Sequence, residues 1–338
     1  MPLVAHSNLP AFAALRSEGI DVVSPGAADS ALPDLRVGLL NLMPDAALQA
    51  TERQFMRLVS AYGDAANLHV IPFAVRADYR ADIAVEHIQS YYSSFDALRA
   101  DAPDALIITG ANPAAADITT EAFWDPMIEV IDWGREHVGP VLCSCLATHA
   151  VLHHYHNTPR VELPQRQWGV YAHDILVTDH PLLSGISAPM QAPHSHRYGV
   201  SREAMESAGL TVLVASDEAG VHLAVGNPAF EKNGSQFVYF QGHPEYDAIS
   251  LLKEYKREIQ RFNIGSRQTF PPYPEYYLDA EAKRQVDDYE RRVTESDFAQ
   301  QTIPPFPEES ISRRCVNTWH AAGMQIYRNW LAAVDTSR

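Results

Sequence analysis

Cysteine is scarce in this chain. Cys143, Cys145 and Cys315 are the three it has in 338 residues, too few and too unevenly spaced for a disulfide framework. Positive charge is short as well: 26 Lys and Arg stand against 42 Asp and Glu, a formal net charge of −16. That balance argues against nucleic acid or an anionic membrane surface as a partner, and it requires any anionic ligand to be met by arginines placed locally. No apolar run approaches the roughly 20 residues that cross a bilayer. Met1-Pro-Leu-Val-Ala-His6 lacks the charged stretch and apolar run of a secretory signal. The expectation is a cytoplasmic protein without membrane or nucleic-acid partners. Neither an internal repeat nor a low-complexity linker is present, and 46% hydrophobic with 20% charged residues allows one large core.

Alternation of strand and helix patterns organises the chain. Residues 1–34, rich in Ala, Ser, Pro and Gly, read as an N-terminal extension ahead of one α/β domain, 35–338, whose part from about 265 is irregular and helical. Arg36–Leu42 reads as the first strong strand. Thr51-Glu-Arg-Gln54 reads as a capping box opening a helix through Phe55, Leu58, Val59 and Tyr62. Strands are expected at Leu68–Ala74 and Asp104–Thr109, with helices at Ile83–Phe95 and Met127–Trp133. Past residue 156, Trp168–Val177 reads as extended, and Pro181, Pro189 and Pro193 as loop punctuation. Strands return at Leu210–Ala215, Gly220–Val225 and Phe237–Gln241, and helices at 249–262 and Val316–Ala332. This order predicts a mostly parallel sheet flanked by helices, with ligands at the carboxyl ends of its strands.

The chemistry concentrates in Gly139-Pro-Val-Leu-Cys-Ser-Cys-Leu-Ala-Thr-His149. A short buried strand followed at once by a helix (Leu146, Ala150, Val151 and Tyr155 on one face) forces a sharp turn at Cys145, where a nucleophile would project clear of the sheet. The helix N-terminus favours a thiolate there. An inert buried cysteine is the competing reading. Gly242-His-Pro-Glu245 supplies a base and its orienting carboxylate, because residues two apart in an extended segment share a face; Cys145, His243 and Glu245 then form a relay. Backbone amides in the Gly110-Ala111 loop and after Cys145 are the natural oxyanion donors. His149 and His153 have the helical spacing of a metal pair, but no carboxylate or second cysteine pair accompanies them, so no metal is expected.

Nine segments, Asn41-Leu-Met-Pro44, Thr51-Glu52-x-Gln54, Ile107-Ile-Thr-Gly-Ala111, Cys145-x-x-x-x-Ala150, Gly169-Val-x-x-His173, Pro193-His-Ser195, Ser216-x-Glu-Ala-Gly-Val221, Gly242-His-Pro-Glu-Tyr-Asp247 and Asn329-Trp-Leu331, give a further handle. In this order the chain resembles the homoserine O-acyltransferases of methionine biosynthesis, the homoserine trans-succinylase family, which resemble class I glutamine amidotransferases in fold (flavodoxin-like). The resemblance implies transfer of an acyl group from succinyl-CoA to L-homoserine through a thioester on Cys145, with His243 as base and Glu245 as its partner. It further implies Arg257 for the homoserine carboxylate, Ser195 and Arg166 at the substrate site, no cofactor beyond the acyl-CoA donor, and leaves a homodimer open. Ala114, three places after Gly110-Ala111, is small where family members that use acetyl-CoA carry glutamate, which implies succinyl-CoA as donor. Homoserine acetylation and a glutamine amidotransferase-like hydrolysis remain the alternatives. The chain departs from the family where lysine commonly follows Met-Pro: here Asp45 follows Pro44, so another cation must meet the succinyl carboxylate.

Overall fold

The computed structural model describes residues 2–63, 65–75, 80–227, 236–295 and 303–336. Its strands are β1 (Leu3–Val4), β2 (Val22–Val23), β3 (Asp34–Leu40), β4 (Asn67–Phe73), β5 (Ala105–Ile108) and β6 (Val141–Ser144). They are followed by β7 (Val161–Ile175), β8 (Met190–Gly199), β9 (Thr211–Ser216), β10 (Gly220–Val225) and β11 (Phe237–Phe240). They join in one 11-stranded sheet in the order β2-β1-β4-β3-β5-β6-β11-β10-β9-β7-β8. From β2 to β11 every pairing is parallel, and from β11 to β8 every pairing is antiparallel. The α/β reading therefore holds, with an antiparallel wing added. After β3 the chain steps to β4 on one side and then to β5 on the other, so a crevice opens at the carboxyl ends of β3 and β5.

Strand alternation divides the interior into two cores. Leu35, Val37, Leu39, Leu142, Val238 and Phe240 face one, with residues of α1 (Pro10–Ser17), α2 (Leu48–Val59) and α11 (His320–Thr336). Leu40, Leu106, Ile108, Val141, Cys143 and Tyr239 face the other, with α5 (Trp124–His137) and α6 (Leu146–His156). A third core joins Trp168 and Val170 of β7 to α8 (Ser250–Asn263), α9 (Ala280–Glu295) and α10 (Glu308–Ser312). Here Gly169 is required by a close approach: the backbone of Glu275 stands 2.3 Å from where a Cβ would be, and Glu275 accepts from the Val170 amide and donates to the Trp168 carbonyl on either side of it. Trp319 and Trp330 are both core residues. In the region read as an extension, Leu3, Leu9, Phe12 and Leu15 pack into the first core.

Several local readings need correction. Helix α2 begins at Leu48, ahead of the expected capping box; Thr51 is buried inside it, and the Gln54 side chain turns outward to Asp247 (3.2 Å) and Ser250 (3.2 Å) rather than back to its own helix start. The helix expected at Ile83–Phe95 is two, α3 (Asp82–Tyr91) and α4 (Phe95–Ala100), because the Ser94 side chain caps the amide of Ala97. The stretch around Pro193 read as loop is β8. It lies at the edge of the sheet, where a strand tolerates a residue without an amide hydrogen. The closing helix starts at His320, not at Val316. Residues 202–207 form one further short helix, α7.

Candidate active site

Cys145 is the hinge between β6 and α6. Its backbone sits at φ 50°, ψ −102°, a conformation that costs a non-glycine residue roughly 1–3 kcal/mol and persists only where its surroundings impose it. The amide of Cys145 donates to the Phe240 carbonyl at 2.7 Å. The buried Thr148 hydroxyl, one turn on, lies 2.9 Å from that same carbonyl and 3.1 Å from that of Cys143. β6 and β11 are thereby clamped where they meet the helix. Cys143 is sealed in the strand, and burial pushes its thiol pKa far up, which keeps it inert, whereas Cys145 is partly exposed. Gly110 lies against the turn: a Cβ there would be 3.5 Å from the Cys145 Cβ and 3.9 Å from the Leu146 nitrogen. As the first residue of α6, Leu146 has an amide with no carbonyl to bond within the helix, so it borders the same space as the Gly110-Ala111 loop.

His243 arrives just past the end of β11, one strand over from β6. The His243 amide donates to the Pro193 carbonyl at 2.8 Å, and its Nδ1 lies 2.8 Å from Glu245 Oε1. A carboxylate accepts, so Nδ1 carries the hydrogen and Nε2 is left to the sulfur. Nε2 is buried and finds no partner away from Cys145. Burial works against the imidazolium, but the charges of Glu245 and Cys145 outweigh it and hold the His243 pKa well above the ordinary histidine range. The Tyr246 ring stacks on the imidazole with centroids 4.4 Å apart and 19° between planes. Pro244 and Glu245 lie in a turn closed by the Tyr246 amide on the His243 carbonyl (3.2 Å), not in the extended segment expected, and this turn brings the carboxylate back to the ring.

Arg166 and Ser195 also come together, around a residue the sequence reading missed. Glu254 Oε2 accepts from Ser195 Oγ (2.6 Å), Arg166 Nη2 (2.9 Å) and Trp168 Nε1 (2.9 Å), and its Oε1 accepts from Tyr246 (2.8 Å). The Arg166 guanidinium lies over the Trp168 ring at 4.4 Å. Glu254 therefore connects the expected substrate residues to the Tyr246 ring that packs on His243. One turn further along α8, Arg257 is exposed and in no ion pair among the described residues. Ala111 is half-buried and Ala114 exposed in the loop after β5.

Comparison with known proteins fits this geometry. The homoserine O-succinyltransferase family matches residues 2–337. The chain belongs to that family. A homoserine O-succinyltransferase of Methylococcus capsulatus is 46% identical over 335 residues, 99% of this chain and 93% of that protein. One of Allochromatium vinosum is 44% identical over 335 residues, 99% and 92% of the two chains. Among solved structures, a glutamine amidotransferase of Thermotoga maritima aligns at TM-score 0.45 and 11% identity, covering 89% of this chain and 97% of that one.

Family membership makes the chain an acyltransferase, and the histidines around the base take their place in that setting. Among the described residues no group of three His, Cys, Asp or Glu side chains is placed to hold a metal ion. His149 instead pairs its Nε2 with Gln241 Oε1 at 2.6 Å, and His153 packs edge-on to Trp124. His173, His194, His196 and His222 are buried beside the His243 turn, His173 and His194 stacked with Nε2 atoms 3.0 Å apart. Burial lowers the pKa of each: His149 and His173 to about 4, His196 to about 3, and His194 and His222 well below the ordinary histidine value. No helix among the described residues is long and apolar enough to cross a membrane.

Proposed function

We propose that this acyltransferase moves the succinyl group of succinyl-CoA to the hydroxyl of L-homoserine, in methionine biosynthesis, through a thioester on Cys145. The observation that carries the mechanism is the strained turn that presents Cys145 beside a Glu245-oriented His243. His243 takes the thiol proton and the sulfur attacks the thioester carbonyl. The oxyanion so formed is met by the amides of Leu146 and the Gly110-Ala111 loop. Coenzyme A leaves as its thiol, taking the proton back from His243. In the second half His243 accepts the homoserine hydroxyl proton, the alkoxide attacks the acyl group, and Cys145 departs as a thiol. Arg257 suits the acceptor's carboxylate. Ala114, without bulk or charge, leaves room for the distal carboxylate of the donor, and a coenzyme A donor makes the cytoplasm the working compartment.

Intact-mass spectrometry after incubation with succinyl-CoA alone tests the covalent step. The expected outcome is one succinyl adduct that maps to Cys145, disappears on adding homoserine and is absent in Cys145→Ala, with Cys143→Ala behaving as wild type. An adduct on Cys143, or turnover retained in Cys145→Ala, defeats the mechanism. A higher kcat/KM with acetyl-CoA than with succinyl-CoA would instead defeat the donor assignment alone.

A further inference from the structure

A dicarboxylic donor brings a second carboxylate into a protein of net charge −16, and Asp45 stands where a cation would be convenient. Several arginines come near the strand ends that carry the site, and of these Arg53 and Arg57 are committed to Glu18 and Asp247. Arg80 is committed: its side chain is almost wholly buried, and its Nη1 binds Asp45 Oδ1 and the Met43 carbonyl, both at 2.9 Å. Arg166 is committed too, to Glu254 and Ser195. Arg160, just ahead of β7, is different. Its Nη2 donates to the carbonyls of Ala115 (3.0 Å) and Ala116 (2.9 Å), in the loop that carries Ala114 and leads from Gly110. Its guanidinium lies over the Tyr198 ring at 4.1 Å. Its Nε is buried and bonded to nothing, and among the described residues no carboxylate pairs with it.

Fixed, half-buried and held by neutral groups alone, this guanidinium has the features of an anion subsite that the chain itself does not fill. Burial lowers its pKa, and Cys145, Glu121 and Asp117 are near enough to oppose that shift, which puts it in electrostatic range of Cys145. Glu121 accepts from the Ala115 amide at 2.6 Å and Asp117 from the Thr119 amide at 2.9 Å, and neither forms an ion pair with the guanidinium.

We infer that Arg160 receives the distal carboxylate of the succinyl group, and that the Ala114–Ala116 loop it grips forms the wall of that subsite. This rests on succinyl as the transferred group but not on the acyl-cysteine. Selectivity for a dicarboxylic over a monocarboxylic thioester then comes from this one guanidinium together with the absence of a side chain of any length at Ala114.

The test is steady-state kcat/KM with succinyl-CoA and with butyryl-CoA, a donor of equal carbon count without the distal charge, for wild type, Arg160→Met and Arg160→Lys. Methionine keeps an apolar stem against Tyr198. The expected result is a loss of roughly 10- to 100-fold with succinyl-CoA in Arg160→Met, the factor a hydrogen bond to a charged group is worth, with a far smaller change for butyryl-CoA and partial recovery in Arg160→Lys. Equal losses with both donors would assign Arg160 to holding the loop and overturn the proposal, as would an unchanged succinyl-CoA value or a wild type that does not favour succinyl-CoA. These ratios do not depend on a covalent intermediate, so the mass measurement can fail while they hold, and the reverse.

Discussion

Arg257 and Glu254 lie three residues apart on α8, on neighbouring positions of one helix face, yet they are placed very differently. Glu254 is drawn into the site by four donors, while Arg257 remains in water without an ion-pair partner among the described residues. An exposed, unpaired guanidinium beside an occupied carboxylate can meet an incoming amino acid without first breaking a bond of its own. Arg257→Ala is therefore expected to raise the KM for homoserine by roughly 10- to 100-fold, the worth of a charge-assisted bond, and to spare thiol release from succinyl-CoA alone. Steady-state kinetics beside a donor-only thiol assay checks this. Damage of the same size to the donor half-reaction would place Arg257 in the support of α8 instead.

The segment that follows β11 meets Pro193 of β8, and this contact sets the position of His243. Gly242 separates β11 from His243, and a Cβ on it would stand 2.5 Å from His222 Nδ1, 2.9 Å from His194 Nε2 and 3.0 Å from the Pro193 carbonyl that holds the His243 amide. At such separations the strand end must move, and a catalytic group displaced by about 1 Å costs on the order of 10²-fold. Gly242→Ala should lose about that much kcat/KM while keeping its far-UV circular dichroism, and Gly26→Ala, with open space around its Cβ position, should behave as wild type. Full activity in Gly242→Ala would show that the turn is not held by these contacts. Glycine here was legible as part of a Gly-His-Pro-Glu motif, but the imidazoles that require it come from β8 and β10, which no local pattern could bring together.

Across the whole molecule, five buried histidines kept neutral couple folding to pH. Their native pKa values lie below the ordinary 6.5, with His149 and His173 at about 4 and His196 at about 3, so between pH 6.5 and about 4 the unfolded chain binds more protons than the native one. Stability then rises with pH through that window: the contribution is complete above about 6.5 and is lost as pH falls. Each histidine that stays neutral costs roughly 1.4 kcal/mol per pH unit below 6.5, and several together exhaust a typical folding free energy of about 5–15 kcal/mol within two units. Tm should fall steeply between pH 6.5 and 5, with His173→Gln losing less over that interval than wild type. A Tm unchanged from pH 7 to 5 would contradict this.

The amino-acid sequence by itself determined β3 to β6 and β11 of the parallel half of the sheet and the strand-to-helix turn at Cys145, but neither β1 and β2, in the stretch read as an extension, nor the turn that joins Glu245 to His243. What was legible is local: apolar alternation over four to seven residues sets a strand, and a helix following without a linker compels the turn at Cys145. The role of Cys145, His243 and Glu245 in acyl transfer came from nine short motifs in order, not from periodicity. Tertiary structure decided what local spacing does not encode. Pro193 reads as a breaker and becomes part of β8 because the sheet ends there; Thr51 reads as a cap and is interior because the helix has already begun at Leu48. Glu254 lies in an ordinary charged helix, and Arg160 follows a proline with nothing to mark it; both matter because β7 carries donors to one and α6 leads the other to the loop after β5. Contacts between residues tens of positions apart, Ser195 with Glu254 or Arg160 with Ala115, exist once the sheet has set its strand order, because only then do these backbones converge.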